Sequence, residues 1–243
     1  MKKTFLVALV LILGLTAPSM VLALTITGTS GNLAASADFS VSGTNLVVTL
    51  TNTSLFDVDD PVDVLTAVFF TLAGNPTLSR VSAVLGSGST VFFGPDGGGN
   101  VGGEWAYQNN ISAPNGADEG IFSAGFGFNG DLTFPGSNLQ GPAAVGGLQY
   151  GLTSAGDSTT TGNAPVTGGF ALIHSSVVFT LSGLPAGFDP PAPGAITNVS
   201  FQYGTALDEP NVPPSSVPEP ATMLLLGFGL IGMGIFVRRT FKK

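Results

Sequence analysis

The sequence predicts an all-β fold for the body of this 243-residue chain, a β-sandwich of the jelly-roll type. Apolar and polar residues alternate with the period of two that is typical of strands, as in Ala37, Phe39 and Val41. Glycine, proline, asparagine and serine fill the gaps between the alternating runs. No long amphipathic helix is visible between these runs. Together these observations predict two sheets that bury one apolar face each.

The first half of the body contains the clearest strand signals. Segments 37–41 and 46–50 alternate on either side of Gly43-Thr44, which predicts a β-hairpin. Segment 64–72 is apolar at nearly every position, and a strand that is buried on both faces has this pattern. We therefore expect 64–72 to be a central strand.

Further along the chain the pattern predicts another hairpin and two long strands. Segments 80–85 and 90–93 are expected to pair across the Gly86-Ser87-Gly88 turn. Segments 171–181 and 196–203 are each expected to form one continuous strand. The glycine-rich middle of the chain predicts long loops around short strands.

The end of the folded domain is expected where prolines become frequent. Pro210, Pro213 and Pro214 fall in segment 208–217, which predicts a stiff, proline-rich spacer. The β domain itself is therefore expected over 24–207.

Charge separates the body of the chain from its two ends. Between residues 24 and 217 Arg80 is the single basic residue, against 14 carboxylates, the 15 of the whole chain less Glu219. Such an acidic surface repels nucleic acid, which excludes a nucleic-acid-binding function. The chain has no cysteine, which excludes a disulfide scaffold, a thiol nucleophile and thiolate metal sites.

The N-terminal segment predicts export. Lys2-Lys3 precede an apolar run at 5–15, and small residues lead up to Ala23. This order is typical of a cleaved signal peptide. We expect residues 1–23 to be removed by a cut after Ala23, so that the mature chain begins at Leu24.

The C-terminal segment predicts a membrane anchor. Segment 221–237 carries no charge, and as a helix it spans roughly 25 Å, close to the thickness of a bilayer core. Arg238-Arg239 follow it and, by the positive-inside rule, act as a cytoplasmic stop. The sequence thus predicts a transmembrane helix in the inner membrane, with the β domain outside the cytoplasm.

These C-terminal features together resemble a known sorting signal. Pro218-Glu219-Pro220, the apolar span 221–237 and Arg238-Arg239 resemble the PEP-CTERM signal of Gram-negative bacteria. The whole signal spans 218–243. The resemblance implies that an exosortase, a membrane-embedded cysteine protease-transpeptidase, recognises Pro218, Glu219 and Pro220. It further implies a transient inner-membrane anchor, followed by delivery to the cell surface or to the extracellular polysaccharide of a biofilm.

An acidic cluster is a candidate calcium site. Asp57, Asp59, Asp60 and Asp63 lie within seven residues, and their mutual repulsion would be relieved by a divalent cation. The alternative is a solvated acidic loop between two strands. Calcium is the only cofactor that the sequence suggests.

Two aromatic residues are candidates for ligand binding. Trp105 and Tyr107 could stack on a sugar ring, or they could pack in the core. A polysaccharide-binding sandwich, with or without calcium, is accordingly one functional hypothesis.

Signals for catalysis are weaker. Asp118-Glu119 and Asp208-Glu209 are adjacent carboxylates of the kind that glycosidases use, but such enzymes need a facing pair. His174, the one histidine, stands beside Ser175 and Ser176, yet no G-x-S-x-G nucleophile motif is present. The first hypothesis is therefore a non-enzymatic surface or matrix protein, the second is a binding module, and the third is a secreted hydrolase.

Overall fold

A computed structural model describes residues 23–123, 137–139 and 148–215. These residues form two β-sheets joined by loops, a few one-turn 3-10 helices and one π-helical turn at Pro165–Gly169. Within the described ranges no helix has the length and apolar character needed to cross a membrane. Residues 1–22 of the predicted signal peptide (1–23) and the whole predicted sorting signal at 218–243 lie outside these ranges.

The strands account for most of the regular structure. In chain order they are β1 Ala23–Ser30, β2 Leu33–Ser42, β3 Asn45–Asn52, β4 Leu65–Leu72, β5 Ser79–Leu85, β6 Thr90–Phe92, β7 Ala106–Asn109, β8 Glu119–Phe122, β9 Ser137–Asn138, β10 Gly151–Thr153, β11 Leu172–His174, β12 Ser176–Ser182, β13 Ile196–Tyr203 and β14 Asn211–Val212. An all-β architecture is therefore confirmed for the described residues.

The two sheets have different strand orders. The first sheet runs β1-β2-β3-β12-β5 with every neighbouring pair antiparallel. In the second sheet β4 is central: β13 pairs along one side of it, and β8 and β10 pair along the other. β14 extends the second sheet beyond β13.

The sheets pack face to face over a shared apolar core. The ring of Phe39 on β2 meets the edge of Phe70 on β4, with 5.4 Å between centroids. Trp105 lies against Phe179 of β12 at 4.9 Å. Because each of these four rings is at most 1 % exposed, they fill the space between the sheets and drive their association.

The predicted hairpin and the predicted central strand are both confirmed. β2 and β3 pair in register from Ala35–Asn52 to Ser42–Asn45, around the turn at Gly43-Thr44. β4 is buried on both faces except at Thr71. Val68 and Phe70 belong to the core between the sheets, whereas Ala67 and Phe69 belong to a second apolar cluster on the other face.

The predicted pairing of 80–85 with 90–93 is wrong. Both strands form, but β5 pairs with β12 in the first sheet and β6 pairs with β11 in the second. The turn between them is held to the start of β12: Gly86 donates its N–H to the Ser176 carbonyl at 2.9 Å, and Ser89 Oγ accepts the Ser176 N–H at 3.0 Å. The chain therefore crosses from one sheet to the other instead of forming a hairpin.

The predicted single strand 171–181 is two strands. Ser175 has φ +84°, which breaks the extended backbone between β11 and β12. Its N–H bonds to the Thr153 carbonyl of the second sheet at 3.2 Å, and its carbonyl accepts from Asn52 of the first at 3.0 Å. Ser175 is thus the point at which the chain passes between sheets.

Strand direction defines two ends of the sandwich. We call the end at which β1 begins the upper end; it holds the turn 43–44 and the loops 73–78, 110–118 and 183–195. Hydrogen bonds join these loops, from Gly183 N to Thr44 O at 3.1 Å and from Ala73 N to Ala195 O at 2.9 Å.

The lower end, where β1 finishes, holds the turn 31–32 and the loops 53–64, 154–171 and 204–210. Ser54 Oγ donates to Asn32 O at 2.6 Å, and Gly204 N donates to Val64 O at 2.9 Å. Loop 154–171 is attached to loop 53–64 by Ser154 Oγ, which donates to Phe56 O. The lower end is therefore one connected group of loops.

Candidate functional site

The segment that leads to the predicted sorting signal is part of the folded domain. Residues 211–215, which we call the C-terminal strap, follow a turn at 204–210 that is closed by Glu209. The Glu209 carboxylate accepts the N–H groups of Ala206, at 2.7 Å, and of Thr205. The turn therefore has a defined shape, and it sends the chain back along β13.

Gln202 connects this turn to the strap. Its side chain is 3 % exposed, and its amide nitrogen donates to the carbonyls of Ala206 at 2.9 Å and Glu209 at 3.1 Å. Its amide oxygen accepts from Asn211 Nδ2 at 3.1 Å. Because a buried amide must satisfy both groups, these bonds hold the start of the strap in place.

The strap then crosses from the second sheet to the first. Val212 pairs with Phe201 of β13 and is 1 % exposed, so its side chain belongs to the core. Beyond two prolines, the Ser215 N–H donates to the carbonyl of Thr27 on β1 at 2.7 Å. Ser215 Oγ also lies 3.2 Å from Thr29 Oγ1.

Gly28 makes this crossing possible. A Cβ at this position would lie 2.8 Å from the Phe201 ring and 2.8 Å from the Pro213 carbonyl oxygen, closer than side-chain carbons come to other atoms. Only a residue without a side chain lets β1 approach both groups.

The structure therefore differs from the predicted spacer at 208–217, since the domain continues through Ser215. The prolines predict an extended chain and conceal that Asn211 and Val212 can pair with a strand. The sequence signal was Val212, an apolar β-branched residue among polar residues and prolines. A position of that kind is often buried.

The predicted signal cleavage site lies at the upper end of β1. Ala23 pairs with Ser40 and Leu24 with Phe39, and Leu24 packs against the core. A cut after Ala23 would leave Leu24 as the first residue of β1. The cleavage itself stays a prediction.

The acidic cluster is not gathered around one point. Asp57 accepts the Ser158 N–H at 2.7 Å and the Thr161 hydroxyl, and the hydroxyl is the main cause of its lowered pKa. Asp60 accepts from Asn163 Nδ2 at 2.7 Å. These bonds join loop 53–64 to loop 154–171.

The other two predicted calcium ligands point elsewhere. Asp63 accepts the N–H of Asp60 at 3.2 Å, and Asp59 is exposed. Across the described ranges no three carboxylate, histidine or cysteine side chains come together as a metal site. The four candidate ligands do not share a site. Asp57, Asp60 and Asp63 each accept hydrogen bonds from separate backbone or side-chain donors.

The two aromatic candidates are core residues, which is the second of the two alternatives that the sequence left open. Trp105 is 0 % exposed, and Tyr107 is 4 % exposed. Neither ring presents a face on which a sugar could stack, because the facing sheet covers both. Tyr107 is directed inward by the pairing of β7 with β8, and Trp105 packs on Phe179 of the other sheet; both partners are distant in sequence.

Tyr107 instead forms a buried pair with Glu119 of β8. Its hydroxyl donates to Glu119 Oε2 at 2.7 Å. Glu119 is 0 % exposed and lies opposite Phe70, so it faces the core, and its Oε1 has no hydrogen-bond partner among the described residues. Burial raises the pKa of Glu119 to about 7, with a smaller contribution from the charge of Asp118.

The structure does not assemble either pair of hydrolase candidates into a facing couple. Glu119 lies inside the sandwich near the upper end, whereas Glu209 closes the turn at the lower end. His174 stacks on Phe92, with 5.5 Å between ring centroids, and Ser176 is bonded to Ser89. Among the residues described, no hydroxyl is bonded to His174.

Comparison with known proteins identifies the segment that follows the strap. Neither a curated protein nor a solved structure matches this chain. Residues 216–239 match the family model of the PEP-CTERM protein-sorting motif, and this match begins at the residue after Ser215. It contains Pro218-Glu219-Pro220 and Arg238-Arg239, as the resemblance implied. The chain therefore carries a PEP-CTERM sorting motif, the signal of exported proteins that are processed by an exosortase.

Proposed function

We propose that this chain is a non-enzymatic protein of the cell surface or extracellular matrix, delivered there by an exosortase. Segment 221–237 anchors the precursor in the inner membrane, Pro218-Glu219-Pro220 is recognised, and the jelly-roll-like sandwich is released or transferred. The observation that carries this proposal is the sorting-motif match that begins directly after Ser215, a residue bonded to the β domain.

The chemistry of the domain supports the same function. With 14 carboxylates and one arginine between residues 24 and 217, the domain stays soluble among acidic polymers without binding them through charge. A domain without cysteine needs no oxidation step to fold after export. The proposal gives the domain a place in the polysaccharide matrix and no resident cofactor.

The hydrolase hypothesis receives less support. Its best acid, Glu119, is enclosed between the sheets with a tyrosine hydroxyl as partner, where no polymeric substrate reaches it. The polysaccharide-binding hypothesis is also weakened, because Trp105 and Tyr107, its two candidate sugar contacts, are buried in the core. We therefore propose a role that depends on sorting and on the folded surface rather than on a catalytic centre.

Replacing Pro218, Glu219 and Pro220 together by alanine in the native host tests the proposal. Intact-mass analysis of the extracellular fraction should show wild-type protein without its C-terminal span, and the variant should stay in the membrane with the span attached. Alanines at Pro191 and Pro193, two exposed prolines of an upper loop, are the matched control and should leave delivery unchanged. Normal processing of the triple variant would refute the proposal.

A further inference from the structure

The strap fixes how far the domain can stand from the sorting motif. Ser215, the last described residue of the strap, is bonded to β1 and precedes Pro218 by three positions. Fully extended, three residues reach about 10 Å, and the six that lead to residue 221 reach about 20 Å. If segment 221–237 lies in the membrane, as the proposed function requires, the edge formed by β1 and the strap must lie close to the bilayer surface.

The direction of the chain favours the upper end. β14 runs antiparallel to β13, whose first residue is at the upper end, so the chain heads upward as it enters the strap. β1 begins at the upper end with Ala23, the last residue of the predicted signal peptide. Before cleavage, both membrane-directed segments therefore leave the domain from this edge or from the end above it.

Charge favours the same orientation. Among the described residues, the loops of the lower end hold seven carboxylates. The upper loops and the strand positions next to them hold Arg80, Asp38, Asp118 and Asp189, with Glu119 enclosed in the core. Anionic lipid headgroups repel carboxylates that lie within a Debye length, about 8 Å at physiological salt. The lower-end carboxylates are Asp57, Asp59, Asp60, Asp63, Asp157, Asp208 and Glu209.

We infer that, in the anchored precursor, the β1 edge and the upper end of the sandwich face the lipid bilayer, and the acidic lower end points away. The partner surface is the anionic headgroup layer, and the uncharged loops 73–78 and 183–188 lie nearest to it. The strap sets this orientation because it removes the slack that a spacer of eight or more residues would provide.

Site-specific labels test this orientation directly, because the chain has no native cysteine. Thr77→Cys and Ala186→Cys place one label each in exposed upper loops. Ser87→Cys places one in the exposed turn beside the start of β12, which is at the lower end, and Ala155→Cys places one in the lower loop 154–171. The ends are separated by the length of a strand, about 27 Å for eight residues. Each full-length variant carries an environment-insensitive fluorophore in vesicles of phosphatidylcholine and phosphatidylglycerol that contain a headgroup spin label.

We expect quenching by the spin label to be several-fold stronger for the two upper labels than for the two lower ones. Equal quenching at both ends, or stronger quenching at the lower end, overturns the inference. Flotation of the chain with the vesicles is measured separately from quenching. A chain that does not float overturns the membrane anchor of the proposed function, and the inference fails with it.

A flexible linker tests whether the strap sets the orientation or whether closeness to the membrane is enough. Inserting about 12 glycine and serine residues between Ser215 and Ser216 leaves the strap docked but gives the domain freedom to tumble. The difference between upper and lower labels should then largely disappear while flotation is retained. If the difference persists, the strap does not set the orientation. Thermal melting identical to that of the parent shows that each variant remains folded.

Discussion

The backbone N–H of Ser215 donates to the carbonyl oxygen of Thr27 at 2.7 Å, which ties the residue before the sorting motif to the edge strand of the opposite sheet. Among the strands that the structure describes, β1 is the first of its sheet, and no other strand pairs with its outer edge. An edge of this kind exposes N–H and C=O groups that can pair with another chain. The strap covers part of that edge, so one short segment both positions the motif and protects the domain.

Val212 should carry much of the stability of the strap. Val212→Ala removes two methyl groups from a core position, and we expect the free energy of unfolding to fall by about 1–2 kcal/mol. Denaturant unfolding of the secreted domain measures this change. Val84→Ala is the matched control, because Val84 is 39 % exposed, and it should cost less than about 0.5 kcal/mol. Equal effects of the two variants would show that Val212 does not contribute as a core residue.

Gly28 should tolerate no side chain. In Gly28→Ala the new methyl group would collide with the Phe201 ring and the Pro213 carbonyl, so either the strap leaves β1 or the core shifts. We expect a loss of about 1–3 kcal/mol, as for other overpacked sites, together with faster proteolysis after residue 212. Ser30→Ala, an exposed position of the same strand, serves as the control. A Gly28→Ala domain that resists protease like the wild type would contradict the close approach.

The strands that the sequence predicts best are those defined by local pattern. β2, β3 and β4 follow from alternation and from an apolar run, because burial on one face or both is written into adjacent residues. The break at Ser175 and the separation of β5 from β6 could not be predicted, because each depends on a partner distant in sequence. Segment 79–85 finds β12 about a hundred residues later, a choice that local pattern does not encode.

The candidate site residues show the same limit. The sorting motif is contiguous and can be recognised from the sequence alone, whereas any role of Trp105 and Tyr107 depends on which way their rings point. The pairing of Tyr107 with Glu119 joins diagonal positions of neighbouring strands, so it requires the register of β7 and β8. The strap could not be predicted from local pattern, because it depends on Val212 reaching a core position after the turn at 204–210.

Asp57 should act as a link between loops rather than as a calcium ligand. Asp57→Ala removes the acceptor of the Ser158 N–H, so we expect hydrogen exchange at the Ser158 amide to accelerate by about tenfold or more. Asp59→Ala, in which the lost carboxylate is exposed, should leave that amide unchanged. Millimolar calcium should not change the melting temperature of the wild-type domain, because Asp57, Asp60 and Asp63 are engaged by separate donors. A rise in melting temperature that Asp57→Ala abolishes would contradict this interpretation.

Glu119 should make the domain less stable as the pH rises toward neutrality. Its pKa is raised from an ordinary 4.5 to about 7, chiefly by burial, so the folded state keeps a proton that the unfolded state has already released. Between those two values the unfolded state binds fewer protons, and stability therefore falls with increasing pH, by on the order of 3 kcal/mol in total, and levels off above pH 7.

Glu119→Gln isolates this contribution, because glutamine retains an oxygen acceptor for the Tyr107 hydroxyl and cannot ionise. Denaturant unfolding at a series of pH values from 4 to 8 should give a shallower decline for the variant than for the wild type, and the two curves should diverge most above pH 7. Two half-buried carboxylates with raised pKa values, Glu104 and Asp157, contribute equally to both proteins and cancel in the difference. Parallel curves for wild type and Glu119→Gln would mean that Glu119 titrates normally and that its carboxylate reaches water.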